Sequence, residues 1–120
     1  MEFHKRLGKP IPKKPRLADV QTEVLRLDLI EEEFDDELRG ALFEGDLVAI
    51  ADALADLLYV TYGCAIEYGI PIDKIFAEVH RSNMTKFKNG ANFREDGKLL
   101  KGAGFEPPRI AQILEEAKHE

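Results

Sequence analysis

DLVAIADALADLLYVTYGCAIEYG, residues 46–69, contains hardly a polar side chain that is not an aspartate, a hydroxyl or the lone Glu67. Asp46 is a good N-cap and Gly69 a natural stop, so the stretch predicts one helix from near Asp46 to about Tyr68. A helix apolar nearly all round must lie at the centre of a fold or in a subunit interface. Two aspartates, Asp52 and Asp56, interrupt it. They make it an implausible membrane span and leave two carboxylates in apolar company.

Upstream, Leu17, Val20, Val24, Leu27, Ile30, Phe34 and Leu38 recur at three- and four-residue steps. That spacing predicts a long amphipathic first helix ending at Gly40. Residues 1–16 carry three prolines among basic residues and predict an extended arm preceding one domain over 17–120. Downstream, "IPIDKIFAEVHRSNMTKF" predicts a third helix, either with Pro71 in its first turn or with Asp73 as its cap. "FREDGKLL" predicts a short C-terminal β-hairpin turning at Asp96-Gly97. "EPPRIAQILEEAK" predicts a last short helix started by Pro107-Pro108. The expected class is all-α with that one β excursion.

The chain has 120 residues and a net charge of −6, which argues against nonspecific nucleic-acid binding. The single Cys64 excludes an internal disulfide, and no apolar signal segment follows Met1. The expectation is a soluble cytoplasmic protein that binds neither nucleic acid nor membrane.

The acids set the functional question. Six carboxylates fill the seven positions from Glu31 to Glu37. Most charge runs are solvated faces. Here, however, Glu32 and Asp36 lie one turn apart, as do Asp52 and Asp56, and Glu33 with Asp36 falls on the same side at ~100° per residue. Antiparallel packing of the two helices would let the stripes face each other. Hard oxygen donors without histidine or cysteine suit Mg²⁺ or Mn²⁺ better than zinc. A di-iron site would need Glu-x-x-His on two helices, which is absent.

The succession "LIEEEFDDEL", "DALADLLYVTYG", "VHRSNMTKF" and "EDGKLLKG" followed by "PP" resembles the all-α nucleoside triphosphate pyrophosphohydrolases. These are the MazG-like enzymes, related to phosphoribosyl-ATP pyrophosphohydrolases and dimeric dUTPases. Their motif is Glu-Glu-x-x-Glu on one helix and Glu-x-x-Asp on the next. On this resemblance Glu32, Glu33, Asp36 and Asp56 are metal ligands. Ala53 stands where the motif has its second-helix Glu, and Asp52 is the substitute. Asn83 and Lys86 match the family's Asn-x-x-Lys and imply contacts to substrate phosphate or sugar. Tyr59, and Tyr62 beside it, could flank a base or belong to the core. Lys101 is a further candidate for phosphate.

The resemblance implies Mg²⁺-dependent hydrolysis of a nucleoside triphosphate between the α and β phosphates. Glu33, with Glu32 next to it, would act as the base. It also implies a MazG-like helical bundle completed by oligomerisation, as a homodimer or homotetramer. Two rival readings are a nucleotide binder without hydrolysis, suggested by Ala53, and a noncatalytic helical interaction module.

Overall fold

The computed structural model describes residues 1–120, which divide into two compact units, Met1–Ile70 and Pro71–Glu120. In the first unit, helix α1 (Glu2–Leu7) closes on Gly8. Helix α2 (Val20–Glu31) follows, with Asp19 Oδ1 accepting from the Thr22 N–H at 2.7 Å. The helix does not end there. Glu32–Leu38 continue it as a π-helical segment, and α3 (Arg39–Glu44) carries it on to Gly45. Gly45, at φ 70°, and Asp46, whose side chain caps the Ala49 N–H at 3.1 Å, reverse the chain into α4 (Leu47–Glu67).

The two long helical runs are antiparallel. Arg26 lies against Gly63 and Glu67 near the far end of α4, whereas the π segment packs on the part of α4 nearer the reversal. Leu38, Ala41, Ala53 and Ala65 are buried in this unit, and the three alanines allow close approach of the backbones. At Gly69, whose φ is 65°, a side chain would clash with the Lys14 carbonyl, whose oxygen would lie 2.3 Å from an added Cβ. The Arg16 N–H also donates to the Tyr68 carbonyl at 2.9 Å, so residues 14–16 cross the end of α4.

Two expectations for this unit need correction. The first helix runs through Gly40 instead of stopping there. A helix-interior glycine costs about 1 kcal/mol, which packing against α4 outweighs, and Gly45 adopts the left-handed conformation that ends the run. Residues 2–7 are helical rather than extended, because the prolines begin only at Pro10 and buried His4 anchors the turn.

Helix α4 is far less covered than its composition predicts. Leu47 and Val48 are 77% and 81% exposed, and Leu54, Leu58, Tyr59 and Tyr62 are also open. By length and composition α4 is apolar enough to cross a membrane, and only 11% of its most apolar stretch is buried.

In the second unit, α5 (Ile72–Met84) has Pro71 at its N-cap and Asp73 in its first turn, the reverse of both starts that the sequence suggests. A 3₁₀ turn (Thr85–Phe87) ends it, followed by Asn89 and Gly90 at positive φ. Ser82, Thr85 and Glu106 then bind the following chain to α5. Ser82 Oγ donates to the Glu106 carbonyl at 2.7 Å, and the Glu106 N–H donates to Thr85 Oγ1 at 2.8 Å. Helix α6 (Ile110–Ala117) closes the unit.

The fold is all-α, and the expected C-terminal β-hairpin does not form. The turn at Asp96-Gly97 exists, with the Arg94 N–H donating to the Lys98 carbonyl at 2.8 Å. The pairing stops at one isolated bridge between Phe93 and Leu99. A two-stranded ribbon needs a third strand or an apolar surface to rest on, and the exposed Phe93 has neither.

Candidate functional site

The π segment determines which acids meet. A π-helical turn is wider than an α turn, as the Arg39 N–H donating to the Phe34 carbonyl five residues back demonstrates. Arithmetic at 100° per residue therefore fails between Glu32 and Leu38. Glu33 is half-buried, and its Oε2 is sealed from solvent without any hydrogen-bond partner. Burial raises its pKa most. The carboxylates of Asp56, Glu37, Glu32 and Asp52 raise it further, in that order. The ionisation of Glu33 is thus opposed by both aspartates of α4.

Glu37 is exposed, and its carboxylate is one of those that raise the Glu33 pKa. Asp36 is not one of the four acids that raise the Glu33 pKa most. Together with Asp28, Glu31, Glu32 and Asp35 it lines an open concavity of about 280 Å³. Asp35 is paired with Arg39 at 3.1 Å. Ala53 is 3% exposed, so a glutamate at that position would start inside the seam between the helices, whereas Asp52 and Asp56 lie exposed.

A divalent cation is what the family resemblance implies, and the donor chemistry fits it. The donors are all hard carboxylate oxygens, and one of them is buried, unpartnered and among like charges, an arrangement a cation would relieve. The carboxylates are not drawn into a chelate. No three His, Cys, Asp or Glu residues stand close enough together to hold a metal ion.

The remaining candidates lie elsewhere. Asn83 is exposed near the end of α5, and Lys86 is half-buried in the 3₁₀ turn. Lys101 Nζ sits 5.1 Å from the centre of the Phe105 ring. All three are in the second unit. Tyr59 and Tyr62 are not core. Both line a cavity of about 550 Å³ in the first unit.

The sequence reading missed a buried charged cluster beside that cavity. Glu67 Oε1 accepts from Arg26 Nη2 at 3.2 Å and from His4 Nε2 at 3.2 Å, with Lys9 Nζ at 3.9 Å. His4, Arg26 and Glu67 are each at least nine-tenths buried. Desolvation pushes the His4 pKa down despite its carboxylate neighbour. The available signal was a lone Arg and a lone Glu at the two ends that antiparallel packing brings together.

The model of a family described as phosphoribosyl-ATP pyrophosphohydrolase matches residues 1–83. The uncharacterized protein L479 of Acanthamoeba polyphaga mimivirus is 51% identical over 53 residues, which is 44% of this chain and 21% of that protein. The matched segment spans about a fifth of that relative's length.

Proposed function

The chain belongs to the phosphoribosyl-ATP pyrophosphohydrolase family, and we propose that it hydrolyses a nucleoside triphosphate between the α and β phosphates, releasing a monophosphate and pyrophosphate. The observation that carries this reading is Glu33, in the π segment: one of its carboxylate oxygens is buried without a partner, and Asp56 and Asp52 of α4 oppose its ionisation.

In this reading Glu32, Glu33, Asp36, Asp52 and Asp56 would hold Mg²⁺, or Mn²⁺ in its place. Glu37 is added by its closeness to Glu33. The ion supplies charge neutralisation for the phosphates and makes a nearby water more acidic. Glu33 Oε2 takes the proton of the attacking water, and the burial that raises its pKa makes it the stronger base. Glu32 orients that water. Asn83, Lys86 and Lys101 are the residues we assign to the phosphates and sugar, where a lysine gives a mobile positive charge and an amide both donates and accepts.

The uncovered apolar face of α4 supports self-association, as a homodimer or homotetramer. Asp52 and Asp56 favour an interface over a membrane span for this helix, and the protein is assigned to the cytoplasm. A second reading, nucleotide binding without hydrolysis, is favoured by buried Ala53 at a motif position and by the ungathered carboxylates.

The test is pyrophosphate release from a panel of canonical and modified nucleoside triphosphates, with and without Mg²⁺. Metal-dependent release from at least one of them is expected. Metal-dependent nucleotide binding with no release establishes the second reading instead.

A further inference from the structure

The cavity beside the buried cluster has two chemically different ends. Its walls include the rings of Phe3, Tyr59 and Tyr62, with Phe3 and Tyr59 meeting edge to face at 5.5 Å between centroids. All three rings are about half exposed, so they retain free surface for a planar partner. At about 550 Å³ the space suits a compact organic ligand and is too apolar for a polyphosphate.

Its polar end has more donors than acceptors. Arg26, 6% exposed, lines the cavity, and only Nη2 of its guanidinium is engaged, with Glu67. Its Nε is also without a partner, although that atom is sealed from solvent and is not itself offered to the cavity. Lys9 lines the same cavity, so two fixed cations stand against the one carboxylate of Glu67. His4 adds no charge near neutral pH, because burial lowers its pKa. Gly63 makes the arrangement possible: a Cβ there would lie 2.5 Å from Arg26 Nη1.

The cavity also lies on the seam that carries the acids. Arg26 on α2 precedes Glu33 in the π segment by seven residues, about two helical turns, and Tyr59 follows Asp56 by one turn of α4. We propose that this cavity receives the base of the nucleotide. It selects bases with a ring carbonyl, such as uracil, thymine or hypoxanthine, over adenine, whose ring offers only nitrogen acceptors. The aromatic walls hold the ring, and the surplus N–H groups of Arg26 and Lys9 meet the carbonyl. This inference rests on the nucleotide reading above and adds its specificity.

The experiment is calorimetric titration of the full chain with uridine, inosine and adenosine, with EDTA present, so that neither metal nor catalysis is involved. Uridine and inosine should bind roughly tenfold or more tightly than adenosine, as polar sites discriminate against ligands that leave their groups unpaired. Gly63→Ala, which displaces the guanidinium, should bring the three affinities together. Lys9→Ala, at a partly exposed side chain, should weaken uridine and inosine selectively and serves if Gly63→Ala does not fold. Equal binding of adenosine by the unaltered protein overturns the proposal, as does no binding of any nucleoside. The two readings fail separately. Hydrolysis without nucleoside binding removes the cavity assignment alone, and carbonyl-selective binding without hydrolysis of any triphosphate removes the catalytic reading alone.

Discussion

Arg26 Nη2 donates to Glu67 Oε1 at 3.2 Å, an ion pair in which the two side chains are each only 8% exposed. It fastens the α2 strand of the helical hairpin to the far end of α4, and His4 brings α1 to the same carboxylate. A buried pair of this kind is costly to break because the partner left behind keeps its charge without compensation. Glu67→Ala is therefore expected to destabilise the protein by about 3–5 kcal/mol. Replacing both partners, as Arg26→Met with Glu67→Leu, should recover most of that. Urea unfolding of the two variants decides it, and equal losses in both would mean that the pair is not coupled.

Glu33 presents the opposite situation, a carboxylate in unfavourable company. Burial and four neighbouring acids raise its pKa, so the ionised form weakens the folded state. The contribution is favourable below the ordinary glutamate value of 4.5 and is lost as pH rises through the elevated one. At neutral pH with EDTA, Glu33→Gln should melt at a higher temperature than the unaltered protein. Its Mg²⁺-dependent pyrophosphate release should fall by roughly a hundredfold or more. Asp56→Asn should lose activity in the same way. A Glu33→Gln variant that is both less stable and fully active would remove Glu33 from the site.

The extent to which this arrangement can be read from residues alone differs along the chain. Helix α4 announces both its ends, through Asp46 and Gly69, because caps and left-handed glycines are local chemistry. Pro71 marks the start of α5 in the same local way, though one position outside the helix and not in its first turn. The π segment has no such local mark. Its acids obey a 100° wheel on paper, but a wider turn rotates Asp36 away from Glu33 and leaves it beside Asp28, Glu31, Glu32 and Asp35, whereas Glu37, four residues on, neighbours Glu33 on either wheel. Gly40 and Gly45 are equally good helix stops by residue type, and only the packing against α4 chooses between them. The "EDG" turn is correctly read, but a turn does not make a ribbon when nothing supports the strands.

In the second unit, Glu78 accepts from Arg81 Nε at 2.8 Å and Nη2 at 2.9 Å, and from the Arg109 N–H at 2.7 Å. These bonds, the Arg81 pair first, hold its pKa down to about 2. A depressed carboxylate stabilises above its ordinary value of 4.5 and loses that contribution as pH falls toward about 2. The stability gap between the unaltered protein and Glu78→Gln should therefore narrow as pH is lowered through this window. Thermal melts followed by circular dichroism give the answer. A gap that stays constant with pH would show the bonds to be neutral in effect.

The open face of α4 gives the last expectation. Leu47, Leu54 and Leu58 fall on one stripe of that helix, and all three are exposed. Leaving such a stripe in water is unfavourable by about 25 cal/mol for every Å² of apolar surface that association could cover. A stable partner surface needs roughly 800 Å² from each side, which a helix of 21 residues with its neighbours can supply. Insertion into a bilayer would cover the leucines equally well, but it would also place Asp52 and Asp56 in hydrocarbon at a cost of about 2.5–3.5 kcal/mol each on insertion scales. Association with a second copy leaves those aspartates free to face solvent or a cation. Sedimentation should accordingly give a dimer or larger, and Leu54→Lys with Leu58→Lys should give a monomer. Mixed with lipid vesicles and pelleted, the unaltered protein should stay in the supernatant. A monomer in solution that pellets with the vesicles would assign the face to a membrane.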